Sequence, residues 1–231
     1  PASTEEVAAI MALCSEPDIS VTVRGAGTGL VGGCVPLHGG VVLCTMRMDK
    51  ILEYDKDNLT VRVQPGVRLC DLIDDVAAQG MFYPPDPGEK TGSIGGNVVT
   101  NAGGMRAVKY GTTRDYVLAA AVVLPSGEVM ELGRAVTTTS SGYSLLHLVI
   151  GSEGTLAIVT EITLKLIARP EASTSFILPF ADIDAAIASV PGIKLAGLDP
   201  QSIEFMERDI VVDAEEHTGN HVFPAEVDGQ E

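Results

Sequence analysis

The spacing of apolar and polar residues divides the first third of the chain into short strands and two helices. Apolar residues at helical spacing follow a possible capping box at Ser3 and predict a helix over about Thr4 to Cys14. The run "VRLCDLIDDVAAQG" predicts a second, amphipathic helix that Gly80 closes. The runs "ISVTV", which ends at Arg24, "GVVLCTM" and "LTVRVQPG" predict strands. The pattern therefore indicates a mixed α and β architecture.

Between Tyr83 and Tyr110 the periodicity almost disappears, and the sequence "YPPDPGEKTGSIGGNVVTNAGGMRAVKY" is rich in Gly and Pro. An irregular segment of this length inside a domain usually performs chemistry or wraps a ligand. Regular patterns then return. They predict two strands around a turn in "VLAAAVVLPSGEVMEL", a helix in "YSLLHLVI" and a long strand in "TLAIVTEITLKLIARP".

Pro170 ends that strand and marks a domain boundary. We expect one domain over residues 1–170 and the beginning of a second, incomplete α+β domain over residues 171–231. In the second domain, strands and helices are expected to alternate along "STSFILPF", "DIDAAIASVPG", "DPQSIEFMERDIVV" and "HVFPAEVDG".

Composition and charge narrow the function classes. A formal net charge of −16 provides no positive field for phosphate backbones or anionic lipid, so we expect no nucleic-acid partner. The apolar runs are all far shorter than the roughly 20 residues of a membrane-spanning helix, so we expect no integral membrane segment. The four cysteines form no C-x-x-C pair and are expected to be reduced thiols of a cytoplasmic protein. Iron–sulfur chemistry would then come from a partner.

The stretch "VTVRGAGTGLVGG" raises the question of phosphate binding, because glycine lets backbone N–H groups approach an anion. The dinucleotide fingerprint G-x-G-x-x-G requires a third glycine where Leu30 stands, and the following glycines and Pro36 leave no room for a helix. The P-loop pattern is absent. A backbone nest for an anion, with no helix dipole behind it, and a plain glycine-rich turn between strands both remain open.

Two further glycine-rich loops favour a ligand. "GSIGGNVVTNAGG" adds backbone donors and the side-chain amides of Asn97 and Asn101, and "GSEGTLAIV" adds Glu153, which can accept a hydrogen bond. Three uncharged loops of this kind suit one large ligand that has a diphosphate and flat rings.

Together, "VRGAGTGLVGG", "PPDPGEKTGSIGGNVVTNAGGMRAVKYG", "VVLPSGEV" and "GSEGTLAIVTEITLKL" resemble the FAD-binding domain of the vanillyl-alcohol oxidase and p-cresol methylhydroxylase (PCMH) type. The resemblance is strongest to the branch that contains the glycolate oxidase flavin subunit, FAD-linked D-lactate dehydrogenase and D-2-hydroxyglutarate dehydrogenase. It implies an α+β fold in which two α+β subdomains clasp FAD, followed by the start of a ferredoxin-like cap. It also implies an oxidoreductase, a flavoprotein that oxidises a D-2-hydroxy acid.

The resemblance also implies which residues bind the cofactor. The first loop would wrap the diphosphate, the second would line the flavin, and the third would hold the adenine and ribose side. The implied residues are Arg24, Gly25, Ala26, Gly27, Thr28, Gly29 and Leu30, then Pro85, Asp86, Pro87, Thr91, Gly92, Ser93, Gly96, Asn97, Asn101, Ala102 and Gly103, and finally Glu153, Gly154, Ile158 and Val159. Some relatives attach FAD covalently through a histidine where this chain has Thr28, so noncovalent FAD is implied.

The catalytic base is not identified in this sequence. In the branch it resembles, a base and a divalent metal site come from a downstream H-x-G-D-G-N-x-H motif, which does not occur here. We therefore expect this chain to be a piece of a longer protein, with any metal in the part that is not present. The implied partners are a small 2-hydroxy acid and an electron acceptor, which could be an iron–sulfur subunit, a quinone or an electron-transfer flavoprotein. Association with a membrane through such a partner, and a homo-oligomer, are compatible with the sequence.

Three alternatives stay open. Arg106 and Lys109 could hold a substrate carboxylate or form surface salt bridges. The segment "EEHTGNH" places His217 and His221 four residues apart, but Gly219 and Asn220 disfavour a helix there, so a solvated loop is expected rather than a metal site. The chain could also be a flavin-binding electron-transfer or assembly module with no substrate turnover of its own.

Overall fold

The computed structural model describes residues 1–136, 138–140 and 142–221. They fall into two compact units, the first Pro1–Arg169 and the second beginning at Pro170. The helices are α1 (Thr4–Ser15), α2 (Leu69–Ala78), α3 (Ile94–Thr100), α4 (Ala107–Tyr110), α5 (Leu145–Val149), α6 (Ile183–Leu195) and α7 (Arg208–Thr218), with a 3₁₀ turn at Thr113–Tyr116. The strands are β1 (Val21–Arg24), β2 (Val41–Cys44), β3 (Ile51–Asp55), β4 (Thr60–Val63), β5 (Met81–Phe82), β6 (Val117–Val123), β7 (Val129–Gly133), β8 (Ile158–Lys165) and β9 (Ile167–Ala168).

The first unit is built on an antiparallel sheet in the order β3-β4-β8-β6-β7. β6 lies between β7 and β8, and its sequence "VLAAAVV" is entirely apolar, as expected of a strand whose side chains are buried or half-buried on both faces. β8 alternates buried and half-buried positions, as the period of a strand requires. Two smaller pairs complete the unit, a parallel pair β1-β2 and an antiparallel pair β5-β9.

Two apolar clusters hold these layers together. The larger packs α2 and α3 against the five-stranded sheet, and the smaller joins α1 to β2 and to the adjoining ends of β6 and β8. In the smaller cluster Val7 and Met48 are completely buried. Each such side chain contributes about 1.5–3 kcal/mol of transfer free energy relative to an exposed position.

The predicted elements of the first unit are confirmed in order. The helix near Thr4 begins after a cap at Ser3, whose hydroxyl accepts a hydrogen bond from the N–H of Glu6 at 3.3 Å. Several elements differ. The sequence pattern does not predict the strands β3 and β5, and the helices α3 and α4 lie within the segment that was expected to be irregular throughout. The predicted long strand divides into β8 and β9, which belong to different sheets.

The second unit differs more from expectation. Residues 170–221 contain α6 and α7 but no strand, so the strands expected there are not formed, and α6 continues through Pro191. α7 reaches Thr218, so His217 is helical and the loop prediction for it is wrong, whereas His221 lies beyond the αL residue Gly219. The segment "HVFPAEVDG" falls outside the described residues apart from its histidine. Among the described helices, none combines the length and apolar character that crossing a bilayer requires.

Candidate functional site

The first glycine loop leaves β1 at Arg24 and is anchored on both sides. The carbonyl of Arg24 accepts a hydrogen bond from the N–H of Thr45 at 2.9 Å. The N–H of Ala26 donates to the hydroxyl of Ser93 at 3.3 Å. A methyl group built on Gly25 would overlap that hydroxyl oxygen, so the close approach of the two segments requires glycine here.

Ser93 connects this loop to α3. Its side chain is buried, and its hydroxyl caps the helix by accepting the N–H of Gly96 at 3.3 Å. One serine therefore fixes both the start of α3 and the first loop. A helix terminus thus lies beside the first loop, whereas the sequence had left open a nest with no helix behind it and a plain turn between strands.

Thr28, Gly92 and Asn97 gather at the next point of contact. A methyl built on Gly92 would lie 3.4 Å from both Thr28 Oγ1 and Asn97 Oδ1. The Nδ2 of Asn97 is buried and has no hydrogen-bond partner among the described residues. A buried amide donor in that state costs free energy unless a ligand or solvent accepts its hydrogen bond.

The third loop, Gly151 to Gly154, closes against the other two. Its backbone N–H groups at Gly151 and Glu153 donate to the carbonyls of Val98 and Val99 of α3, at 3.2 and 2.8 Å. The carboxylate of Glu153 points toward the first loop, where a methyl built on Gly33 would lie 3.2 Å from Oε2. The structure thus brings the three predicted glycine-rich loops together.

Asp86 uses its carboxylate within the protein. It is buried and forms ion pairs with Lys90 and with Nε of Arg106, the second at 3.6 Å. The guanidinium of Arg106 also lies 5.0 Å from the centre of the Phe82 ring. Of the two roles left open for Arg106, the structure shows the salt bridge. Lys109 lies 5.5 Å from the ring centre of Tyr110.

Asn101 is held by a network that sequence reasoning did not identify. It is the C-cap of α3, in the left-handed region at φ 48°. Its Oδ1 accepts hydrogen bonds from Thr112 Oγ1 at 3.0 Å and from the N–H of Arg114 at 2.9 Å. The side-chain amide of Asn101 was expected to bind a ligand, but its Oδ1 is used to position the turn that follows.

The remaining predicted residues occupy varied environments. The side chains of Ile158 and Val159 are buried in the two apolar clusters. Leu30 is fully exposed. Ala102 accepts hydrogen bonds from Thr113 through its carbonyl. Pro85 and Pro87 are buried on either side of Asp86, whereas Thr91 and Gly103 are exposed.

A cavity of about 270 Å³ adjoins the third loop. Val21 and Val23 of β1, Ile158 of β8 and Gly154 line it together with residues of α1. Its walls combine these apolar side chains with polar groups, among them Ser15, Asp18 and Thr155.

Tyr83 packs against Tyr116 of the 3₁₀ turn. The rings of Tyr83 and Tyr116 meet edge to face with centres 6.0 Å apart. Burial raises the pKa of the Tyr83 hydroxyl well above its ordinary value, and the neighbouring Tyr116 adds to this. Burial, reinforced by Asp115, raises the pKa of Tyr116 to about 12. Both phenols are therefore neutral across the physiological range.

A family model for the FAD binding domain matches residues 1–133 of this chain. The chain belongs to the FAD binding domain family. The matched residues contain β1, the first glycine loop and α3, so the family assignment rests on the segments that the structure brings together.

Three relatives are similar over most of this chain. D-lactate dehydrogenase of Anaerostipes hadrus is 56% identical over 99% of this chain and 48% of its own length. Glycolate oxidase subunit GlcD of Bacillus subtilis is 43% identical over 94% of this chain and 46% of its own length. D-2-hydroxyglutarate dehydrogenase of Xanthomonas citri is 42% identical over 89% of this chain and 43% of its own length. This chain therefore spans about half the length of these curated relatives.

The fold agrees with a solved structure. Alkyldihydroxyacetonephosphate synthase superposes with a TM-score of 0.75 at 27% identity, covering 87% of this chain and 37% of that protein. The expected α+β FAD-binding fold is confirmed. The ferredoxin-like character of the second domain stays a prediction.

The residues present fit FAD. At Gly29 of the first loop no atom lies within 4 Å of the position of a Cβ, so the loop leaves space there for a ligand that backbone N–H groups could hold. The buried Nδ2 of Asn97 is a donor awaiting an acceptor. The cavity beside Gly154 offers space next to the third loop, with both apolar and polar groups in its lining.

Proposed function

We propose that this chain is the FAD-binding part of an FAD-dependent dehydrogenase that oxidises a D-2-hydroxy acid such as lactate, glycolate or 2-hydroxyglutarate. The observation that carries the proposal is the set of relatives. Three of them, at 42% to 56% identity, are named for a 2-hydroxy acid. FAD, when bound, would supply the acceptor for the hydride removed from the hydroxyl-bearing carbon.

The three loops would divide the cofactor among them. The first loop, from Arg24 to Leu30, would hold the diphosphate with its backbone N–H groups. The segment from Pro85 to Gly103 would line the flavin, with the buried amide of Asn97 as a donor. The loop at Glu153 and Gly154, with the backbone of the first residues of β8, would hold the ribose and adenine beside the adjoining cavity. This division is supported by the contacts of α3 with the other two loops, through Ser93 to the first loop and through the carbonyls of Val98 and Val99 to the third.

The cofactor would be held without a covalent bond. Thr28 stands where the resemblance places the attachment histidine, and a threonine cannot form a histidyl–flavin linkage. The protein would be yellow, and precipitation with acid would release all of its flavin into the supernatant. Flavin that stays with the pellet would contradict the noncovalent part of the proposal alone.

Electrons would pass from the flavin to a separate acceptor, an iron–sulfur subunit, a quinone or an electron-transfer flavoprotein. A partner subunit is supported by GlcD, which is named as a subunit of glycolate oxidase. A cytoplasmic location is supported by the four free thiols, which suit a reducing compartment. Residues 1–170 would form the FAD-binding domain and residues 171–231 would begin a cap, a division that the compact unit ending at Arg169 supports.

Two measurements on the full protein test the proposal in sequence. Titration with FAD should quench the flavin fluorescence and reach saturation at one FAD per chain. D-lactate, glycolate and D-2-hydroxyglutarate should then each be tried as reductants of a dye acceptor. Saturable binding without turnover of any of them would favour the electron-transfer or assembly module, and absence of FAD binding would contradict the proposal entirely.

A further inference from the structure

The guanidinium of Arg114 binds two backbone carbonyls at the end of α5. Its Nη1 donates to the carbonyl of His147 and its Nη2 to the carbonyl of Ile150, both at 2.8 Å. The last carbonyls of a helix have no partner within that helix. The planar guanidinium satisfies two of them at once, which a single ammonium group cannot do in the same geometry.

Arg114 itself is held in place from the opposite side. Its backbone N–H donates to Oδ1 of Asn101, the C-cap of α3, at 2.9 Å. A capping box between Thr112 and Asp115 fixes the short turn that carries it. One residue therefore ties the end of α3 to the end of α5.

The third loop begins immediately after these carbonyls and is largely in the left-handed region, which glycine adopts readily and Glu153 does not. Gly151, Glu153 and Gly154 have φ values of 85°, 53° and 78°. A left-handed conformation at a non-glycine residue such as Glu153 costs free energy, so the surrounding structure must impose it. A methyl built on Gly151 would lie 3.4 Å from Nη2 of Arg114, so the guanidinium also packs against the loop.

We propose that Arg114 is a positioning residue for the FAD site. It holds the loop from Gly151 to Gly154 in the form that binds the cofactor, although its guanidinium contacts backbone carbonyls of its own chain. This inference rests on the proposed role of Glu153 and Gly154 in FAD binding. The affinity for FAD therefore depends on Arg114 beyond its contribution to folding.

The test compares three variants of the full protein, R114A, R114K and R62A. Arg62 is a matched control, because it also bridges two partners, the carboxylates of Glu53 and Glu161, but on an exposed strand face. The dissociation constant of FAD is measured by fluorescence titration and the free energy of unfolding by urea denaturation. We expect R114A to bind FAD about tenfold or more weakly, R114K to lie between it and the parent, and R62A to bind like the parent.

Chemical rescue separates positioning from general destabilisation. A low, non-denaturing concentration of guanidinium should restore part of the FAD affinity of R114A, whereas potassium chloride at the same ionic strength should not. Hydrogen exchange at the Gly151 and Glu153 amides should be faster in R114K than in R62A. If R114A does not fold, this comparison of hydrogen exchange between R114K and R62A tests the inference in its place.

The outcomes are distinguishable. Unchanged FAD affinity in R114A or R114K, with only the unfolding free energy reduced, would overturn the inference and leave the proposed function intact. Failure of the parent protein to bind FAD would instead overturn the proposed function. Weaker binding that guanidinium restores would support both.

Discussion

Replacement of Gly25 by alanine tests whether the first loop depends on close contact with Ser93. The φ of Gly25 is not in the left-handed region, so alanine meets no conformational penalty there, but its methyl would overlap the Ser93 hydroxyl. The serine would have to rotate. It would then lose the hydrogen bonds from Ala26 and Gly96 that fix the loop and cap α3.

The magnitude follows from two terms. Overpacking of a tight site costs about 1–3 kcal/mol, and loss of a helix cap costs about 1 kcal/mol. We expect Gly25→Ala to lower the free energy of unfolding by about 2–4 kcal/mol. The chain contains no tryptophan, so urea denaturation would be followed by far-ultraviolet circular dichroism.

Two companion variants make the test specific. Gly29→Ala introduces the same methyl in the same loop at a position with no atom within 4 Å, and we expect it to change stability by less than about 0.5 kcal/mol. Ser93→Ala removes the overlapping oxygen, so the double variant should be no less stable than Ser93→Ala alone. The contact with Ser93 does not hold the loop if Gly25→Ala lowers the free energy of unfolding no more than Gly29→Ala does. The same conclusion follows if the losses caused by Gly25→Ala and Ser93→Ala add up in the double variant.

Three further substitutions probe the surroundings of the site. Asp86→Ala leaves Lys90 and Arg106 without their buried carboxylate. It should lower the free energy of unfolding by about 2–3 kcal/mol. This loss is smaller than that caused by breaking a fully buried ion pair, because the Lys90 side chain is 39% exposed. Tyr83→Phe removes a buried hydroxyl that forms no hydrogen bond of normal geometry among the described residues, although the Thr113 side chain lies near enough to lower its pKa, so stability should change by less than about 1 kcal/mol. Burial holds the pKa of Tyr83 in the folded protein above its ordinary value of 10.0. The contribution of Tyr83 to stability is therefore fully present below pH 10.0 and is lost as the pH rises above it, so the alkaline decline in stability should be smaller in Tyr83→Phe. Glu153→Gly should raise the stability of the FAD-free protein by up to about 1 kcal/mol, by relieving a left-handed residue, while weakening FAD binding.

Each of these has a contrary outcome. For Asp86, the control is Glu53→Ala, which removes an exposed partner of Arg62 and should cost less than about 1 kcal/mol. Equal costs for the two would contradict the burial argument. A parallel alkaline decline of the parent and Tyr83→Phe would assign the proton release to other groups. Tighter FAD binding in Glu153→Gly would remove Glu153 from the site.

The sequence correctly predicts the elements that pack against neighbours close in the chain or that bury only one of their faces. α2 shows this, because Leu69, Leu72 and Val76 are completely buried along one face of the helix. β3 is missed because it is an edge strand with only β4 as a neighbour and mostly exposed or half-buried positions. A strand of that kind has no clear alternation for sequence reasoning to detect.

α3 is missed for a different reason, since its sequence "IGGNVVT" combines glycines with β-branched residues, both poor helix formers. Tertiary contacts override this preference. Ser93 caps the helix, Ile94 and Val98 are completely buried, and a methyl built on Gly95 would lie 2.5 Å from the Cβ of Pro65. Glycine is therefore required by packing at a position where it weakens the helix. The strands expected in residues 170–221 fail for the converse reason, because apolar runs such as "STSFILPF" carry strand propensity but are exposed there.

The candidate site shows the same limit at the level of single residues. Sequence reasoning identified the glycine-rich loops, because glycine at close spacing is visible without any knowledge of the fold. It could not identify Arg114, whose partners are backbone carbonyls 33 and 36 residues further along the chain. A carbonyl belongs to every residue, so no pattern of side chains marks it as the partner of an arginine. Residues that support a site through the backbone therefore emerge only from the structure, and their effect on FAD affinity is the property to measure first.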